Sequence, residues 1–206
     1  MSVKDYETRL YVKDNLSIGK SLVLKNDQSH YIRSVLRLKE NSQIALFNGE
    51  EGEWLSTIKT IAKKFVELEV IEQIKLQDVI SDIWLVFAPI KRTRIDYLAQ
   101  KATELGAGAL WPIFTKYTSV SRVNAERLRS NSIEAAEQSG RLTVPKILDP
   151  IDFDTLIEKW PHDRDLFCLD ETGKGAPILD AFRSSHQRAS GLLIGPEGGF
   201  AKEELD

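Results

Sequence analysis

From Asp82 onward, short apolar runs alternate with segments of helical period, and no other feature restricts the fold so much. Ile83-Trp-Leu-Val-Phe-Ala88 reads as a buried strand ended by Pro89. The helix after it buries Ile95, Leu98, Ala99, Ala102 and Leu105 and stops at Gly106. Ala109 to Phe114 is a second strand, followed by the polar loop Lys116 to Arg122 and a helix from Asn124, its cap, to Ser139. Pro150 to Trp160 reads as a further helix with Phe153, Leu156, Ile157 and Trp160 inward. Leu166 to Leu169 is a third strand, and Ile178 to Arg183 a short helix. Such alternation predicts a mostly parallel sheet with right-handed crossovers.

The last strand, Gly191 to Ile194, runs into Gly195-Pro-Glu-Gly-Gly199 and then an acidic segment with Glu203 and Glu204, as suits a helix start. Glycines let this turn bring its backbone close to a ligand, and in an open α/β sheet ligands sit outside the carboxyl ends of strands. Taken alone, a glycine-rich turn is more often a plain connection. Two phosphate loops are excluded. No G-x-G-x-x-G is present; Gly173-Lys174 is followed by Gly175, and Cys168 stands where a P-loop begins with glycine.

Residues 1–75 are β-rich, with strands at Ser42–Phe47, Trp54–Ile61 and Phe65–Ile71 and a hairpin turn at Asn48-Gly49. One helix, Asp27 to Leu38, is expected among them, capped by Asn26 or Asp27, with Ile32, Val35 and Leu36 on its apolar face. His30, Arg33 and Arg37 would share the opposite stripe, a cationic surface to which Arg9 and Tyr11 could add if folded nearby. Most such stripes are solvated faces. The polar stretch Leu76 to Ser81 marks the expected boundary between domains 1–75 and 76–206.

Formal net charge is −3, with 12 basic against 11 acidic residues up to Lys75 and 16 against 20 beyond, so any RNA contact must come from local patches. The single cysteine, Cys168, excludes an intrachain disulfide and reads as a buried thiol. No signal peptide or membrane-length apolar run stands out, and His30, His162 and His186 are too scattered for a metal site. These features suggest a soluble cytoplasmic protein without metal.

Four segments stand out together: His30-Tyr-Ile-Arg-Ser-Val-Leu-Arg37; Gln100-Lys-Ala-Thr-Glu-Leu-Gly106; Glu134-Ala-Ala-Glu-Gln-Ser-Gly-Arg141 with Val144-Pro145; and Ile194-Gly-Pro-Glu-Gly-Gly-Phe200. In this order and spacing the chain resembles the ribosomal RNA small subunit methyltransferase E family. The resemblance implies an α/β protein: a PUA-like N-terminal β-barrel followed by a SPOUT-type, trefoil-knot α/β domain. It implies a homodimer that uses S-adenosylmethionine to methylate N3 of a uridine, at a U1498-type position, in 16S rRNA of the small ribosomal subunit. The family continues past the helix begun at Ala201 with a segment that completes the knot. This chain ends at Asp206, so the expectation is a domain without that segment and with weak cofactor binding.

Methyl transfer needs the methyl carbon positioned against the uracil nitrogen, and that nitrogen stabilised once its proton has left. Arg141 is the first candidate for a substrate-facing cation, with Arg92 and Arg94 next; Glu104 and Glu137 are candidate carboxylates. Ile194, Gly195, Pro196, Glu197, Gly198 and Gly199 are assigned to S-adenosylmethionine, with Leu169 and Glu171 as the facing lip. Arg9, His30, Arg33, Arg37, Lys91, Arg92, Arg94 and Arg122 are assigned to RNA. The rival reading is an RNA-binding or ribosome-assembly module without catalysis. An oxidoreductase would need the dinucleotide fingerprint that is missing.

Overall fold

The computed structural model describes residues 6–79, 81–170, 172–173, 175–185 and 189–205, and only the backbone of Arg92 and Thr93. It divides into two compact units, Met1–Val79 and Ile80–Asp206.

The first unit is a mixed five-stranded half-barrel. Its strands are β1 (Arg9–Tyr11), β2 (Ser21–Lys25), β3 (Gln43–Phe47), β4 (Glu53–Ile61) and β5 (Phe65–Lys75), in the order β1-β3-β4-β5-β2. Only the β1–β3 pair is parallel. Alternation in β5 buries Val66, Leu68 and Val70 with Leu22, Leu24, Ile44, Leu46 and Ile58. Asn48 builds the β3–β4 turn: its Oδ1 accepts from the backbone N–H of Glu50 and Glu51.

The expected helix here is much shorter. α1 spans Asn26–His30 and has no side-chain cap, and a π turn follows at Tyr31–Val35. Leu36 N–H reaches back to the Tyr31 carbonyl, Leu38 N–H to that of Ile32, and Arg37 ends the segment at φ 55°. A wider turn shifts every later side chain around the axis. Ile32 therefore stays buried, while Val35, expected inward, is exposed.

The second unit is a parallel sheet. β6 (Ile83–Phe87), β7 (Ala109–Phe114), β8 (Lys146–Ile147), β10 (Asp165–Leu169) and β11 (Ser190–Ile194) lie in the order β10-β11-β6-β7-β8, and β9 (Ile151–Asp152) pairs with the end of β7. Helices α2 (Arg92–Leu105) and α3 (Ala125–Ser139) pack over Phe87 and Leu110 through Ala99, Ala102 and Leu128. On the other face α4 (Phe153–Lys159) and Phe200 cover Val86, Trp111, Ile113 and Leu193. Two shorter helices, α5 (Ile178–Ser184) and α6 (Lys202–Leu205), complete the unit.

Trp84, Trp111 and Trp160 form a cluster with ring centroids 5.8–6.1 Å apart. The Trp160 ring fills the space a side chain would need at Gly191, which explains a glycine inside this strand. Leu105 and Ile157, expected inward, are exposed. Cys168 is exposed too, because β10 is the edge strand of the sheet and not an interior one. Both β8 and β9 escape the sequence reading, since two residues carry no period.

Candidate functional site

The carboxyl ends of the parallel strands share one register row: Leu169 pairs with Ile194, Ile194 with Phe87, and Phe87 with Pro112. β11 lies parallel beside β6, the first strand of the sheet, so strand order breaks between them, and in open α/β sheets ligands sit outside the carboxyl ends of the strands. Ala88 N–H bonds the Ile194 carbonyl and so ties the two exit loops together. Leu169 and Ile194 keep 39% and 38% of their surface exposed, leaving two apolar side chains open on adjacent strands.

The turn after Ile194 is closed by Gly199 N–H on the Pro196 carbonyl (2.9 Å), with Gly199 at φ 73°, a region that costs any other residue strain. Pro196 and Gly199 are buried; Glu197 and Gly198 are exposed. Two anchors fix the turn. Arg94 Nη1 donates to Glu197 Oε1 at 2.7 Å. Beyond the turn, Glu204 accepts from the Ala201 N–H (2.7 Å) in capping-box fashion, and its other oxygen accepts from the Lys116 N–H (2.8 Å). Lys116 also pairs with Glu203, and that bond holds the Glu203 carboxyl below its usual range.

Phe200 sets the inner wall. A Cβ on Gly195 would lie 2.7 Å from the Phe200 ring, which also packs on Phe153 with centroids 6.1 Å apart. Glycine at 195 is thus required by close packing. Phe200, Lys116 and Tyr117 carry no site role in the sequence pattern, yet all three line this turn, the Tyr117 Cβ lying 3.4 Å from the position a Cβ would take on Gly198. The acidic segment after the turn is the legible signal for these contacts, since Glu204 bonds both Ala201 and Lys116 and Glu203 pairs with Lys116.

The proposed catalytic residues do not meet this turn within the chain. Glu104 and Arg141 lie at the amino edge of the sheet, where Gly108 N–H bonds the carbonyl of Ile83, the first residue of β6. Arg94 to Glu104 is ten helical residues, about 15 Å of rise. Arg141 Nε donates to the Glu104 carbonyl (2.9 Å), and its guanidinium lies flat over Gly106. The Glu104 carboxylate pairs with Lys101 at 2.6 Å, a bond that holds its pKa down. Glu137 lies in the last turns of α3 at the same end.

The RNA candidates separate in the same way. Arg9 is buried against Glu53, with its guanidinium 4.5 Å from the Phe47 ring centroid, so it does not extend a surface stripe. Arg33 is half-buried and donates to the Ala62 and Lys63 carbonyls, while His30 and Arg37 are exposed. Lys91 and Arg122 are exposed at the carboxyl edge of the sheet; the side chain of Arg92 and all of Glu171 lie outside the described residues. Among the described residues no group of three or more His, Cys, Asp or Glu could hold a metal ion, and no helix is long and apolar enough to cross a membrane.

Open apolar side chains at Leu169 and Ile194, beside exposed backbone without Cβ at Gly198, fit a ligand with an apolar nucleoside and a polar tail. Two family profiles match the chain: "RNA methyltransferase domain" over residues 77–206 and "RNA methyltransferase PUA domain" over residues 24–71. Ribosomal RNA small subunit methyltransferase E from Rickettsia conorii is 34% identical over 199 residues, 96% of this chain and 81% of that protein. The chain belongs to the ribosomal RNA small subunit methyltransferase E family. The enzyme of the same name from Bacillus subtilis is 28% identical, over 94% of this chain and 80% of that one. A solved methyltransferase E from Neisseria gonorrhoeae, bound to S-adenosyl methionine, superposes with a TM-score of 0.81 at 26% identity, covering 97% of this chain and 84% of that chain. A methyltransferase from Legionella pneumophila in complex with the bound cofactor SAM also gives 0.81 at 26% identity, over 96% and 83%. In these terms the half-barrel is the PUA-like unit of a methyltransferase E chain, and the parallel sheet is its SPOUT-type unit.

Proposed function

We propose that this methyltransferase E chain uses S-adenosylmethionine to methylate N3 of one uridine in 16S rRNA of the small ribosomal subunit. In this reading residues 1–75 are an RNA-binding barrel and 76–206 the methyltransferase domain, acting as a cytoplasmic homodimer without metal. One observation carries the reading: the glycine turn 195–199 leaves the carboxyl edge of the parallel sheet where β11 meets β6, beside open Leu169 and Ile194.

Leu169, Ile194 and the main chain of 195–199 would hold the cofactor, which supplies an electrophilic methyl group. The chain's own work is positioning and charge. The Phe200 contact and the Glu204 bonds hold the turn in one shape before substrate arrives, so little ordering is left for the reaction itself. Uracil N3 attacks only after losing its proton, so a cation near the uracil oxygens favours the reactive form. Arg94 stands at the lip of the turn, and in one chain it is better placed for that role than Arg141. Arg141, Glu137 and Glu104 keep a catalytic role only if a partner subunit brings them to this edge.

Nucleoside mass spectrometry of small-subunit rRNA from a strain lacking the gene tests the assignment. Loss of 3-methyluridine, restored by the gene, is the expected result. An unchanged profile, with RNA binding intact, would return the chain to the non-catalytic rival.

A further inference from the structure

A second concavity lies on the same edge of the sheet and shares no lining residue with the turn 195–199. It is a half-open cleft of about 1110 Å³ between the exit of β6, the loop 115–124 and the first turns of α2 and α3. That volume exceeds the usual range of small-ligand sites, about 300–1,000 Å³, and suits a segment larger than one free nucleoside. Its floor is apolar: Ile90, Ile95, Val120, Val123 and the buried Leu128. Lys91 and Arg122 stand exposed at the rim, and among the described residues neither is in an ion pair.

The acids of the cleft are largely spent. Asp96 accepts two bonds from Arg127, at 2.7 and 2.5 Å, and a third from Asn131 at 2.7 Å. Glu126 alone stays open at the side, in the first turn of α3. An apolar floor under a cationic rim matches an unpaired base carried on a phosphate backbone. Proximity to the methyl-donor turn follows from connectivity. Loop 88–91 enters the cleft directly from Ala88, whose N–H is bonded to the carbonyl of Ile194.

We propose that this cleft receives a single-stranded, pyrimidine-containing RNA segment, with a base against Val120 and Val123 and phosphates at Lys91 and Arg122. The proposal deepens the methyltransferase reading and rests on it for the identity of the nucleic acid. Unpaired RNA is the form whose bases are free to enter a protein cleft.

The test is titration, without cofactor, of a fluorescein-labelled RNA hairpin carrying unpaired uridines, against wild type, Lys91→Ala/Arg122→Ala and Val120→Asp. The double variant should bind about tenfold more weakly at 0.1 M salt. Its salt slope should fall by about 1.4, at about 0.7 for each single-strand phosphate left without its cation. Val120→Asp should weaken binding with the slope nearly unchanged, and all three proteins should share one thermal midpoint. Wild-type affinity and slope in both variants would overturn the proposal. So would equal competition by uridine monophosphate, which marks a mononucleotide site, or a change in sedimentation with no change in RNA binding, which marks a face for a second copy. Because no methyl group moves in this titration, weaker binding by the variants beside a wild type inactive on rRNA would leave the cleft standing and remove only the catalytic assignment.

Discussion

Arg94 and Glu197 meet at 2.7 Å across 103 residues of sequence, joining the start of α2 to the glycine turn. Both side chains are open to water, 69% and 49% exposed, so the pair adds under about 1 kcal/mol to stability. A double-mutant cycle with Arg94→Ala and Glu197→Gln should give a coupling of about 0.5 kcal/mol in urea unfolding, fading at 1 M salt. The reactive role assigned to Arg94 requires a much larger loss of kcat than of stability in Arg94→Ala. Parallel losses in both would make the pair merely structural.

Gly195→Ala places a methyl group 2.7 Å from a Phe200 ring that is itself wedged on Phe153. Overpacking of this kind costs about 1–3 kcal/mol. The turn should shift, and S-adenosylmethionine affinity, read by calorimetry, should fall at least tenfold. Adding Phe200→Leu makes room and should recover part of that affinity. No recovery would show that Phe200 does not set the shape of the turn.

Arg141 bonds the Glu104 carbonyl at the end of α2, where a cation also suits the helix dipole. Arg141→Ala should therefore lower stability by about 1–2 kcal/mol while leaving cofactor affinity as in wild type. Activity measured well below the melting transition decides the matter. A deep loss of turnover in a folded variant would place Arg141 at the reacting base, supplied to it by a partner subunit.

These residues also mark where sequence could be read and where it could not. Strands β6, β7 and β11 were legible because buried parallel strands are continuous apolar runs, and the turn at 195–199 because glycine and proline punctuate so strongly. The Arg94–Glu197 contact and the fold of loop 115–124 into a cleft depend on which strands lie side by side, which no local pattern states. Helical spacing misplaced Val35 because a π turn breaks the period. Arg9 looked like a surface cation until Glu53, 44 residues away, took it into the half-barrel core. Among the site candidates, those near Ile194 follow from a strand and the glycine turn that leaves it, whereas Arg141 follows from its place just past the helix of Glu137, and which edge of the sheet that helix end reaches depends on tertiary packing.

In the half-barrel, Arg37→Ala and Arg33→Ala should part company. Arg37 is exposed, so its loss should flatten the salt dependence of RNA binding by about 0.7 and leave stability nearly unchanged. Arg33 donates to the Ala62 and Lys63 carbonyls, and its loss should cost about 1 kcal/mol of folding stability. Urea unfolding and RNA titration of both variants separate the effects. Equal salt slopes in wild type and Arg37→Ala would take this segment out of the RNA footprint.

Acid stability should report on the cleft wall. The hydrogen bond from the Arg127 guanidinium, with a smaller contribution from the Asn131 amide, holds the Asp96 carboxyl below its ordinary 3.8. A carboxyl depressed by folding stabilises the native state above its unfolded pKa, and that contribution is lost as pH falls through the folded value. Wild type should therefore exceed Asp96→Asn in urea unfolding near pH 6.5, and the difference should shrink below about pH 3.8 as Asp96 takes up its proton. Screening weakens the effect, since the Arg127 partner is more than half exposed, so low ionic strength is the condition of choice. A difference that stays constant down to pH 3 would mean that packing of the amide, and not the charge pair, separates the two proteins.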